Sequence, residues 1–74
     1  MLIVGIKPCF GQNLRRIRLQ KRISQKSLSA AIGVSVYSIR GWEWGTLTPQ
    51  IDDDILRRLC ATLEISAERL FSDT

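Results

Sequence analysis

The residues best equipped for chemistry fall in one stretch, SQKSLSAAIGVSVYSIRGWEWG, residues 24–45. Arg40 brings a planar fork of donors, Gln25 an amide, Lys26 an ammonium, Tyr37 a phenol and Trp44 an indole N–H. The hydroxyls of Ser35 and Ser38, the apolar Val36 and the bare backbone of Gly41 stand among them. This set suits binding and not bond-making. The chain has no histidine, no spacing that pairs a nucleophile with a base, and no glycine-rich phosphate loop, so an enzyme is not expected. Zinc needs about four N or S ligands. Cys9 and Cys60 stand far apart with no CxxC spacing, so neither metal nor cofactor is expected. Asp52–Asp54 reads as negative charge at a helix start, favourable against the helix dipole.

Charge narrows the partner. Residues 1–42 carry eight basic side chains and no acid, while residues 43–74 carry three basic side chains and all seven acids, so halves of +8 and −4 lie behind the net +4. A strongly basic half points to a polyanion, either nucleic acid or a membrane surface. The opening MLIVGI is too short for a signal peptide or a membrane span and reads as an arm or a short edge strand. Unpaired cysteines fit a reducing cytoplasm.

The elements that must position these side chains follow from apolar spacing and caps. Phe10, Leu14 and Ile17 form an i, i+4, i+7 stripe, which predicts a helix over about 11–22. Ser24 is placed to cap a second helix, about 25–32, that turns Leu28 and Ile32 inward and ends at Gly33. Ser35 is placed to cap a third, about 36–44, ended by Gly45. The short gap between them forces a sharp crossing. TLTPQ reads as a loop. A fourth helix starts near Asp52–Asp54 with Leu56, Leu59, Cys60 and Leu63 inward, and a short fifth follows Ser66 with Leu70 and Phe71. The expectation is an all-α, compact bundle of five short helices, with residues 1–9 as arm or strand and residues 10–74 as one domain.

Counted from Gln25, the positions of Leu28, Ser29, Ile32, Gly33, Val34, Ile39 and Trp42 match a helix-turn-helix, and Phe10 to Phe71 resembles the lambda-repressor/Cro-like DNA-binding family. SQKSLSAAIGVS looks like its two capped helices and glycine turn, WEWG its helix-three ending, and LEISAERLF its closing helix. The chain departs from the pattern at Arg22, where a helix-ending glycine is usual, at Ser29 for alanine, at Gly41 inside helix three, and in a loop 46–51 without basic residues.

The resemblance implies double-stranded DNA as partner, a homodimer, and base reading at Val36, Tyr37 and Gly41 by a helix lying in the major groove. On a helical wheel Tyr37, Gly41 and Trp44 point outward, flanked by Val36, Ser38 and Arg40, opposite the inward Ile39 and Trp42. Arg40 is suited to guanine and Val36 to a thymine methyl. Gln25, Lys26, Ser35 and Trp44 are expected on phosphates. Family members hold an arginine of helix one against a glutamate of helix three, which here implies a pair between Arg18 and Glu43. The function expected is a sequence-specific regulator, a small repressor on a palindromic operator. The alternatives are an antitoxin-like module that also binds a protein, and a protein-interaction module that has lost DNA binding.

Overall fold

Four helix ends in this chain are built the same way, by one residue turned into the left-handed region so that the next amides bond back to the last carbonyls. Two of those residues are Gly33 (φ 78°) and Gly45 (φ 79°); the others are Arg22 (φ 58°) and Glu64 (φ 56°), which carry side chains there. The computed structural model describes residues 2–3, 9–47 and 51–71. In order these form β1 (Leu2–Ile3), α1 (Cys9–Gln20), α2 (Gln25–Ile32), α3 (Val36–Trp44), β2 (Ile51–Asp52), α4 (Asp53–Leu63) and α5 (Ala67–Phe71).

α1 therefore lies two residues earlier at each end than the spacing predicts. Its end is set by Arg22, whose left-handed turn lets Ile23 N–H donate to Arg18 O at 3.1 Å. α2 and α3 hold to their expected bounds because a serine opens each: Ser24 Oγ accepts from Ser27 N–H and Ser35 Oγ from Ser38 N–H. Asp52 opens α4 in the same way, accepting from Ile55 N–H at 2.8 Å.

The core draws on every helix: Phe10, Leu14 and Ile17 from α1, Leu28 and Ile32 from α2, Ile39 and Trp42 from α3, Leu59 and Leu63 from α4, and Leu70 from α5. Phe10 meets Trp42 edge-on with centroids 6.3 Å apart, and stacks on Phe71 at 5.5 Å. Each such large apolar side chain withdrawn from water favours folding by about 1.5–3 kcal/mol. α1 and α3 approach so closely that a β-carbon on Gly11 would fall on the carbonyl oxygen of Trp42. Asn13 ties α1 to α5 by donating from Nδ2 to Leu70 O at 3.0 Å, which satisfies a carbonyl of the last turn.

One feature of the fold differs from expectation. The segment after α3 is not loop throughout: Ile51 is fully buried and, in β2, pairs antiparallel with Ile3, while Asp52 pairs with Leu2. The opening segment thus pairs within its own chain; residues 4–8 and 48–50 lie outside the described residues. Leu56 and Cys60 turn inward as expected and pack half-buried against the core. Cys60 is a free thiol whose pKa is raised by burial. Among the described residues no helix is long and apolar enough to cross a membrane, and no group of His, Cys, Asp and Glu is placed to hold a metal.

Candidate nucleic-acid interface

The start of α3 is held open to its surroundings. Ser35 stands in extended backbone (φ −76°, ψ 155°), and its hydroxyl takes the amide of Ser38 at 3.0 Å and lies 3.0 Å from the Ser38 hydroxyl. This satisfies only part of the first turn, because an α-helix leaves four amides without an intrahelical acceptor. Ser24 and Ser27 repeat the arrangement at α2. The Ser35 oxygen thus accepts at the cap while the two hydroxyls keep one hydrogen between them to donate outward, and Val36 beside them is half-exposed.

Along the outward face of α3, Tyr37 is 73% and Trp44 64% exposed, unusually open for residues of their size. Arg40 is exposed between them, with its Cζ 5.2 Å from the centre of the Trp44 ring. That distance lies within the cation–π range, an attraction of about 0.5–1 kcal/mol at an exposed site that favours the guanidinium beside the indole. Ile39 and Trp42 are buried on the other face.

Gly41 corrects the expected wheel. It is buried, not outward, because Leu47 folds back from the following turn over the glycine. A β-carbon there would overlap the Leu47 side chain. The Gly41 carbonyl also takes the amides of Thr46 and Leu47, at 2.9 and 3.2 Å. The sequence did hold a signal, a glycine inside a helix and a leucine in a polar loop, but spacing alone could not pair them.

Behind this face lies a charged network. Arg18 Nε donates to Glu43 Oε2 at 2.7 Å and Nη2 to Oε1 at 3.0 Å, while Nη1 donates to Ile23 O at 2.9 Å. The carboxylate is fully buried. Gln25 Nε2 joins by donating to Glu43 Oε1 at 3.1 Å. One carboxylate therefore links α1, the turn after it, the first residue of α2 and α3. Gln25 was expected only on a phosphate. An amide nitrogen carries two hydrogens, so one remains to donate outward after Glu43 takes the other.

Two hollows flank Trp44. One, of about 600 Å³, lies between α1 and α3 and is lined by Gln12, Arg15, Arg16, Leu19 and Gln20 with Glu43 and Trp44. The other, of about 420 Å³, opens on α3 itself between Tyr37, Arg40, Gly41, Trp44 and Thr46. Sequence reasoning gave Arg15 and Arg16 no specific place. Arg15, Lys21, Arg22, Lys26 and Arg40 are exposed on or beside α1, α2 and α3, whereas Asp53, Asp54, Glu64 and Glu68 are exposed on or beside α4 and α5. α4 and α5 also expose Arg57, Arg58 and Arg69, so their surface is of mixed charge, whereas the exposed charges of α1, α2 and α3 are all basic.

A family model for helix-turn-helix proteins matches residues 14–70. Among solved structures, the chain is similar to the restriction-modification controller protein C.AhdI from Aeromonas hydrophila. The two are 31% identical over 84% of this chain and 91% of that one, with a TM-score of 0.71. It also has the fold of the N-terminal DNA-binding domain of SinR from Bacillus subtilis, at 22% identity over 92% and 97% of the two chains and a TM-score of 0.78. Comparison with curated protein sequences gives no match.

Proposed function

The chain belongs to the lambda-repressor/Cro-like helix-turn-helix family, a family of DNA-binding transcriptional regulators, and we propose that it is a homodimeric repressor that lays α3 in the major groove of a palindromic operator. The observation that carries this is the outward face of α3, where Tyr37, Arg40 and Trp44 stand exposed while the buried Arg18–Glu43 ion pair holds the helix from behind. Exposed aromatic surface on a small basic domain has a binding purpose more often than a structural one.

Val36, Tyr37 and Arg40 are the base readers in this proposal, with Ser38 beside them. Gln25, Lys26, Ser35 and the Trp44 indole N–H take phosphates, which fix register without reading sequence. Gly41 reads nothing, since Leu47 covers it. The half-buried Ile65 and Phe71, near the chain's end, are candidates for the contact between subunits. The likeness to a restriction-modification controller supports a regulatory role.

Selection of bound sites from a random duplex library tests this. The expected product is an inverted repeat whose half-sites lie about 34 Å apart, one turn of DNA. A single unrepeated site bound by one protein would remove the dimer. No enriched sequence would favour a protein-interaction module.

A further inference from the structure

We infer that the hollow on α3 between Tyr37, Arg40, Gly41 and Trp44 receives a thymine methyl lying directly beside a guanine, so that each half-site contains an adjacent thymine and guanine. This rests on the proposal that α3 enters the major groove. It adds which base-pair edges the helix is able to read.

The argument is one of elimination along α3, VYSIRGWEW. Adenine is read in the major groove by Asn or Gln and cytosine by Asp or Glu accepting its amino group. α3 has neither amide, and its only acid, Glu43, is buried with both oxygens engaged by Arg18 and Gln25. Ser38 is engaged with the Ser35 cap, and a hydroxyl such as that of Tyr37 does not single out one base. What discriminates is therefore Arg40, whose fork fits guanine O6 and N7, and apolar surface, which fits the thymine methyl. The structure puts these two side by side. Tyr37, Gly41 and Trp44 line one hollow with Arg40. Trp44 serves both readers: its ring is a wall of the hollow and it also carries the Arg40 guanidinium at 5.2 Å. The contact biases Arg40 towards that side before DNA arrives, which lowers the entropy lost on binding.

The experiment uses the full chain and the operator obtained by selection. Replacing the thymine of the step by deoxyuridine deletes only the methyl and is expected to weaken binding about fourfold, the effect of one buried methyl-sized group. Placing 5-methylcytosine there should bind better than cytosine by the same factor, because the methyl and not the pair is sensed. Arg40→Ala should lower affinity about 5- to 150-fold on a guanine site and little where guanine is replaced. Trp44→Ala should abolish the deoxyuridine effect and weaken guanine preference together, with Trp44→Phe retaining both. Thermal melting of each variant checks that these exposed positions leave the fold intact. A selected operator with no adjacent thymine and guanine, or equal affinity for thymine and deoxyuridine, overturns this inference and leaves the proposed function standing. Absence of any selected sequence overturns both.

Discussion

At the scale of residues, Glu43 is the hinge of the site because three elements depend on its two oxygens. A buried pair owes little net stability to its own attraction, but removing one partner strands a charge away from water. Arg18→Ala and Glu43→Ala are each expected to cost about 3–5 kcal/mol in urea denaturation, against about 1 kcal/mol or less for an exposed pair. The double variant should lose less than the two singles added. Asp54 and Arg58 supply the internal contrast: their pair, at 3.2 Å, is more than half exposed, and its removal should change stability by less than about 1 kcal/mol. Gly11 is the other residue on which packing turns. A methyl there meets backbone, which cannot rotate away, whereas at Gly41 it meets the Leu47 side chain. Gly11→Ala is expected to cost about 1–3 kcal/mol or more. Gly41→Ala should cost less, because alanine regains about 1 kcal/mol of helix propensity as Leu47 shifts. Melting curves of the two variants check that order.

At the scale of elements, the helix ends explain what was legible in the sequence and what was not. α2 and α3 could be bounded from the chain alone because each begins at a serine and ends at a glycine, local signals that need no tertiary partner. α1 and α4 end at Arg22 and Glu64 in the same left-handed geometry, which no local rule assigns to those residue types. Placing a side-chain-bearing residue there costs about 1–2 kcal/mol, partly offset by the greater freedom glycine loses on folding. Arg22→Gly and Glu64→Gly are each expected to raise stability by about 0.5–1 kcal/mol, seen as a higher melting temperature. No gain in either would show that contacts of the side chain offset the strain. β2 was illegible for another reason: Ile51 follows Pro49 and reads as loop until Ile3, far away in the chain, supplies its partner. The outward stripe of Tyr37 and Trp44 was legible from helical period. Gly41 was misplaced because its cover comes from Leu47 in the turn beyond the helix. The hollow between α1 and α3 depends on the crossing of those two helices, which spacing along one helix does not contain.

At the scale of the whole molecule, the proposed function depends on the +8 half and on pairing of two copies. One α3 of nine residues reaches few base pairs, so strong discrimination needs a second copy on the same operator. Contact with three or four phosphates per subunit predicts a log–log salt slope of about −5 to −7 for the dimer. Sedimentation across a concentration series should show a monomer–dimer equilibrium, and a strict monomer both free and on DNA would remove the two-fold operator. The central claim is that α3 reads sequence, and competition binding tests it most directly. The selected operator is set against a scrambled duplex of equal length and composition, at fixed salt, with wild type, Tyr37→Ala and Arg40→Ala. Wild type should prefer the operator by about 10³-fold or more, and each variant should lose part of that preference while its affinity for the scrambled duplex changes little. Equal affinity of the wild-type protein for the two duplexes would contradict the account.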